Sequence, residues 1–190
     1  MMKKIFLWAV LMTVGTSLFA QRRVQTDTLK IRGRAVGYTV TKWYCIEGDK
    51  CPDFTVYDEN GQTIRNRDLR GKTTVISFWI PSCGPCRKEL HRVGPELVDV
   101  YAPDEFAFLA IGSGEDAAGA KKFRELSQAT FPLCYDSTGK VFNRFADNGF
   151  PKFFVVDKDG IVRMVEAGYN DEKFNHLKEV VKQLVEEGRK

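Results

Sequence analysis

The feature that most constrains this 190-residue chain is a pair of cysteines separated by two residues, Cys83-Gly84-Pro85-Cys86. The residues before it, 74–79, form an apolar, β-branched and aromatic run that is typical of a buried strand. The apolar residues after it recur every three or four positions, which predicts an amphipathic helix that buries Cys86, Leu90, Val93, Leu97 and Val100. The two sulfurs are therefore expected where a strand passes into the N-terminus of a helix.

This position favours thiol chemistry. The first backbone N–H groups of a helix have no partner within the helix, so they and the helix dipole stabilise an anion. A thiolate at Cys83 is such an anion, and we expect its pKa to lie below the free value of roughly 8.5. Pro85 fits the first helical turn, where a missing N–H costs little. Because two cysteines so placed can form and open a disulfide with little backbone movement, the segment predicts a redox site.

The segment and its surroundings resemble the thioredoxin superfamily, and more narrowly the extracytoplasmic thiol–disulfide oxidoreductases of the TlpA/ResA type. The resemblance rests on four stretches in order, residues 51–56, 69–72, 78–89 and 149–157. It implies an α/β thioredoxin fold over residues 48–190, a central mixed β-sheet with helices on both faces. Alternating polar and apolar positions predict a short N-terminal β extension over residues 21–47.

The resemblance also implies roles for site residues. Cys83 would be the attacking thiolate, and Cys86, deeper in the helix, would resolve the mixed disulfide. Glu89 lies one turn after Cys86 on the same helix face and would take the proton of Cys86. Cytoplasmic thioredoxin carries a buried aspartate as the base where this chain has Ser77, so Glu89 is the expected substitute. The alternative for Glu89 is a solvated helix glutamate that pairs with a neighbouring basic residue.

The cysteine pair alone would also suit a structural disulfide or half of a zinc site. Zinc needs two further ligands, and the histidines of the chain, His91 and His176, do not form a ligand pair. We therefore expect no metal, and no bound cofactor either, because the sulfurs carry the electrons.

A second part of the site is predicted at Pro151, which resembles the cis-proline of the family. A cis peptide bond there would leave the preceding backbone free to pair with an incoming substrate strand. Phe150 would offer that partner an apolar contact. Trp79 is expected to pack beside the cysteine pair, and we group it with Phe150 and Pro151 as substrate-binding.

Residues 1–20 are typical of a signal peptide. Lys3 and Lys4 precede an apolar run over residues 5–14, and Ala20 is a small residue at a cleavage point before Gln21. Export to the periplasm follows, with an uncleaved membrane anchor as the alternative. Removing the leader lowers the net charge from +4 to +2 by the loss of its two lysines. The remaining charges are interspersed, which argues against a nucleic-acid partner or a polybasic membrane patch.

Three further cysteines make the total odd. Cys45 and Cys51 frame a turn-like segment of five residues, and in an oxidising compartment they are candidates for a structural disulfide. The alternatives are that they form a second exchanging pair, or that one of them bonds to Cys134.

Local patterns predict the remaining elements. A helix over residues 115–127 would bury Ala120, Phe123 and Leu126, and Gly94-Pro95 would kink or split the helix that follows the cysteines. A hairpin over residues 152–165 turns at Asp157-Lys158-Asp159-Gly160. The last helix begins near Asn170 and would bury Phe174, Leu177, Val181 and Leu184.

These features together predict an exported thiol–disulfide oxidoreductase that reduces protein disulfides. The Gly-Pro dipeptide between the cysteines resembles that of reducing thioredoxins, whose potential is about −270 mV. The resemblance to the TlpA/ResA proteins also implies a thiol electron donor in the membrane. The rival interpretations are a peroxiredoxin-like thiol peroxidase and a non-catalytic thioredoxin-fold binding module.

Overall fold

The computed structural model describes residues 42–189 and, before them, two short strands. The predicted signal peptide lies outside the described residues. The strands are β1 (Lys30–Ile31), β2 (Arg34–Ala35), β3 (Thr55–Asp58), β4 (Thr63–Arg65), β5 (Thr73–Trp79), β6 (Phe106–Ser113), β7 (Cys134–Asp136), β8 (Lys152–Val156) and β9 (Val162–Ala167). The helices are α1 (Gly84–Val93), α2 (Ala117–Ser127), α3 (Phe142–Phe145) and α4 (Asp171–Gly188), with a 3₁₀ turn at Asn66–Leu69 and a π-helical turn at Gly94–Val98.

Seven of these strands form one mixed sheet in the order β4-β3-β7-β6-β5-β8-β9. β5 runs parallel to β6 and antiparallel to β8, and β6 runs parallel to β7. This topology confirms the α/β thioredoxin fold. β1 and β2 pair antiparallel in a separate two-stranded sheet, within the segment predicted to carry the β extension.

The central sheet separates two hydrophobic cores. Alternate residues of the fully buried β5 point into each: Val75 and Trp79 into one, Ile76 and Phe78 into the other. The first core is closed by α1, α2 and α4, and it contains both Cys83 and Cys86. The second is closed by α3 and by residues 43–54, which contribute Trp43, Cys45, Cys51 and Phe54. Helices thus cover both faces of the sheet, and the redox cysteines belong to the first core.

Two of the predicted helical stripes are wrong at one position each. After α1 the backbone widens into a π-helical turn, in which Asp99 N donates to Gly94 O over 2.9 Å. The turn accommodates Pro95 and shifts the phase of the stripe, so Leu97 is buried but Val100 is exposed. In α2 the buried stripe is Ala120, Phe123 and Ser127, and Leu126 lies outside it on the exposed side.

The C-terminal elements agree with their predicted positions. β8 and β9 form the hairpin, and Asp157 Oδ1 accepts hydrogen bonds from the backbone of Asp159 and Ile161 within the turn. Asn170 caps α4 by accepting from Lys173 N over 2.8 Å. The four apolar residues predicted for α4 are all buried. Among the described residues, no helix has the length and apolar character needed to cross a membrane.

Candidate active site

The cysteine pair lies at the junction of β5 and α1. The two sulfurs form a disulfide, with 5.3 Å between the Cα atoms of Cys83 and Cys86. Cys83 is the N-cap of α1, and its Sγ accepts a hydrogen bond from Cys86 N over 3.1 Å. The side chains differ in access, since Cys83 is 7% exposed and Cys86 0%. An approaching partner therefore reaches Cys83 first.

Glu89 lies one helical turn after Cys86 and is completely buried. Ser77, in β5, donates from Oγ to Glu89 Oε1 over 2.7 Å. The second oxygen, Oε2, is buried with no hydrogen-bond partner among the described residues. Burial raises the pKa of Glu89 to about 8, against the opposing effect of the Ser77 hydrogen bond. The solvated-glutamate interpretation is wrong, because Glu89 is enclosed and its pKa lies close to the range where thiols titrate.

The proline loop lies at the same end of the sheet as the cysteine pair. The Phe150–Pro151 peptide bond is cis, as predicted. Pro151 is buried directly before β8, which pairs with β5 through Lys152 and Phe78, so the loop lies at the end of the sheet where β5 ends. Phe150 is partly exposed and packs against Phe142 with 4.6 Å between ring centroids.

Trp79 does not belong with the substrate-binding residues. Its side chain is fully buried and stacks on Phe123, with ring centroids 4.1 Å apart and planes within 6° of parallel. The reason is the alternation of β5, which turns Trp79 toward the same core as Val75. The predicted contact with a partner is therefore corrected to a packing role beneath the cysteine pair.

Comparison with known proteins agrees with this geometry. Residues 46–184 match the redoxin family. The thiol-disulfide oxidoreductase ResA of Geobacillus kaustophilus is 31% identical over 151 residues, which cover 76% of this chain and 86% of that protein. ResA of Bacillus subtilis is 27% identical over 159 residues, covering 80% and 88%. The chain is a ResA-like thiol–disulfide oxidoreductase of the redoxin family.

Solved structures share the fold of this ResA-like oxidoreductase. A protein proposed to be a disulfide isomerase from Bacteroides thetaiotaomicron superposes with a TM-score of 0.72 at 26% identity, covering 77% of this chain and 94% of that one. A thiol:disulfide interchange protein of the thioredoxin family from Chlorobium tepidum gives a TM-score of 0.62 at 22% identity, covering 73% and 97%. The second likeness, at that identity, shows the fold alone.

The bridge predicted between Cys45 and Cys51 is not formed in the ResA-like structure. The backbone N–H of Cys45 donates to Phe145 O at the end of α3, whereas that of Cys51 donates to Gly160 O in the β8–β9 turn. The residues between them pair with this hairpin as well, since Gly48 N donates to Val162 O. Different parts of the fold therefore hold the two cysteines. Cys51 and Cys134 are buried thiols, and burial raises the pKa of each to about 12.

One buried lysine, next to Pro151 in the chain, was not predicted from the sequence of the ResA-like chain. Lys152 follows Pro151 directly and is 1% exposed, with its ammonium 4.4 Å from the centre of the Trp43 ring. Burial lowers the pKa of Lys152 to about 8. A lysine at the start of a strand ordinarily indicates an exposed position, so the local sequence gave no signal for its burial.

Proposed function

We propose that this chain is an exported reductase of protein disulfides that works through Cys83, Cys86 and Glu89. One observation carries the proposal. Cys83, the less buried cysteine of the pair, and the fully enclosed Cys86 lie at a helix N-terminus, one turn before a buried carboxyl group whose Oε2 has no partner among the described residues. This arrangement supplies an attacking group, a resolving group and a proton acceptor in that order.

The reaction begins from the reduced pair. The Cys83 thiolate attacks one sulfur of the partner's disulfide, a mixed disulfide forms, and the partner's other sulfur leaves as a thiolate. Cys86 then loses its proton and attacks Cys83 Sγ, which breaks the mixed disulfide and releases the second partner thiolate. The partner gains two electrons and the chain ends with the Cys83–Cys86 disulfide, the state seen in the structure.

Glu89 acts in the second step. Cys86 is shielded from solvent, so its proton needs an acceptor inside the protein, and the Glu89 carboxylate follows one helical turn later. With a pKa of about 8, Glu89 is about one-tenth ionised at pH 7 and about half ionised at pH 8. The resolving step should therefore accelerate as the pH rises toward 8.

Binding of the partner is assigned to the proline loop. An extended segment of the partner would pair with the backbone before Pro151 while Phe150 supplies an apolar contact. The ring of Phe150, partly exposed just before β8 begins, supports this assignment.

The direction and the compartment rest on the sequence. The leader over residues 1–20 supports export to the periplasm, and the Gly-Pro dipeptide supports a reducing potential. A reductase in an oxidising compartment needs a thiol donor, and we assign that role to a membrane protein.

The test is the reduction potential of the Cys83–Cys86 pair in dithiothreitol or glutathione buffers. A value at or below about −250 mV supports a reductase, and one near about −120 mV would make the chain an oxidant. A Cys86→Ser variant should trap mixed disulfides with exported proteins, and the matched Cys83→Ser variant should trap none. Equal recovery of partners by both variants would indicate a binding module, and rapid consumption of hydrogen peroxide would indicate a peroxidase.

A further inference from the structure

Ser77 and Glu89 form a hydrogen-bonded pair enclosed beneath the redox cysteines. Ser77 is 1% exposed in the middle of β5, and its Oγ donates to Glu89 Oε1 over 2.7 Å. The neighbours of Ser77 in the sheet, Ala110 in β6 and Phe153 in β8, are apolar. Ser77 is thus the polar contact that the sheet makes with this carboxyl group.

We propose that Ser77 is a positioning residue for the resolving step: it holds Oε1 of Glu89, so that Oε2 receives the proton of Cys86. The inference rests on the proposed role of Glu89. In this step the S–H bond of Cys86 breaks and the proton passes to Oε2. The sulfur uses the electron pair to attack Cys83 Sγ, and the partner's sulfur leaves with the electrons of the broken S–S bond.

The surroundings of Glu89 leave few other influences on its protonation. The hydrophobic core on this face contains the cysteine pair together with apolar side chains such as Phe153, Phe174 and Leu177. The basic residues of α1 do not pair with Glu89: Arg87, Lys88 and His91 are exposed, and Arg92 donates to Glu96 over 2.6 Å. In α4, which closes the same core, Lys173 pairs with Glu166 and Lys178 with Glu96. Lys152 lies beside Trp43, whose ring packs against the second core. In the disulfide form, burial and the Ser77 hydroxyl are therefore the two effects that shift the pKa of Glu89.

The resolving step can be measured with dithionitrobenzoate. The reduced protein releases one thionitrobenzoate when Cys83 attacks and a second when Cys86 resolves the mixed disulfide, so stopped-flow absorbance separates the two steps. In the unmodified protein the second rate should rise with an inflection near pH 8, where Glu89 ionises. Ser77→Ala should move that inflection up by about one to two pH units, because a hydrogen bond to an ionised group is worth that much. At pH 7 the second step then slows about tenfold or more, and the first step is unchanged.

Matched variants separate positioning from packing. Ser77→Thr keeps the hydroxyl and should retain the inflection near pH 8. Ser77→Val matches Ser77→Thr in size but lacks the hydroxyl, so it should behave like Ser77→Ala. It supplies the comparison if the alanine variant does not fold. Glu89→Gln should abolish the inflection, and adding Ser77→Ala to it should change nothing further.

The outcomes distinguish the two proposals. An inflection that survives in Glu89→Gln overturns the role of Glu89 itself. An inflection that disappears in Glu89→Gln but stays in place in both Ser77→Ala and Ser77→Val overturns only the role of Ser77. Carbon-13 NMR titration of the Glu89 carboxyl in the oxidised protein measures its pKa directly, without turnover. If Ser77→Ala leaves that pKa unchanged, the inference is also overturned.

Discussion

Lys152 and Trp43 form a cation–π contact on the face of the sheet opposite the redox cysteines, with 4.4 Å between the ammonium and the ring centre. The contact joins the strand that follows Pro151 to the segment before β3. Trp43 also forms a β-bridge with Ala146, and Lys42 N donates to Asp147 Oδ1 over 2.9 Å. The N-terminal segment is therefore fastened to both ends of the loop that carries Pro151.

The buried Lys152 predicts a pH-dependent stability. Its pKa is about 8 in the folded chain against 10.5 as its ordinary value, so between these pH values the unfolded state binds more protons. The free energy of unfolding of the wild type should therefore rise with pH over this range. Measured against a Lys152→Met variant, the rise should be about 3 kcal/mol. Urea unfolding of both proteins at pH 7 and pH 10.5 checks it. Lys158→Met, at an exposed turn position, should show no such difference, and parallel curves for wild type and Lys152→Met would contradict the prediction.

Gly112 is expected to be required by the packing of Trp79. A Cβ at Gly112 would lie 2.6 Å from Cζ2 of Trp79 and 2.8 Å from Cη2, too close for the stack on Phe123 to persist. Gly112→Ala should lower the free energy of unfolding by about 1–3 kcal/mol and weaken the near-ultraviolet circular dichroism of Trp79. Gly84→Ala is the control, because the nearest atom to its Cβ is Arg87 Nη2 at 3.9 Å. Equal urea midpoints for the two variants would show that the Trp79 stack tolerates the added methyl group.

Two of the three buried cysteines outside the redox pair, Cys51 and Cys134, should be inert in the native protein. Cys51 and Cys134 have pKa values raised to about 12, so almost no thiolate is present at pH 8. With the Cys83–Cys86 disulfide intact, iodoacetamide should label neither cysteine until the protein is unfolded. Peptide mass mapping reports the labelled sites. If mass mapping of the folded protein finds a peptide in which a disulfide joins Cys45 to Cys51, the structural bridge expected from the sequence does form.

Much of the fold could be predicted because its signals are local. The apolar run of β5, the Asp-Gly turn between β8 and β9 and the cap at Asn170 each act within a few residues, and each occurs where it was predicted. The failures at Val100 and Leu126 have local causes of a different kind. A π-helical turn and a narrow buried stripe change which side of a helix faces the core, and the three- to four-residue period does not reveal either.

The contacts that define the site are less visible in the sequence. Glu89 could be singled out from the family resemblance and from its place one turn after Cys86, but its complete burial and its bond to Ser77 depend on how α1 packs against β5. Trp79 was expected to pack beside the cysteines and was grouped with the substrate-binding residues, whereas the pleat of β5 turns it fully inward onto Phe123. Distances across the fold decide these roles, and a single sequence does not contain them.

Phe150 should contribute to recognition of protein substrates more than to chemistry. Its ring is partly exposed beside the loop of Pro151, and it packs against Phe142 below. Phe150→Ala should raise KM for the reduction of insulin about fivefold to tenfold, the equivalent of losing one partly buried apolar contact. KM for a small disulfide such as oxidised glutathione should stay unchanged, because that molecule is too small to extend over the ring. Phe142→Leu is the matched control, since it alters the packing under Phe150 and leaves the exposed ring in place. A loss confined to Phe150→Ala and to insulin assigns the ring to the partner interface, and an equal loss in both variants would assign the effect to packing of the loop.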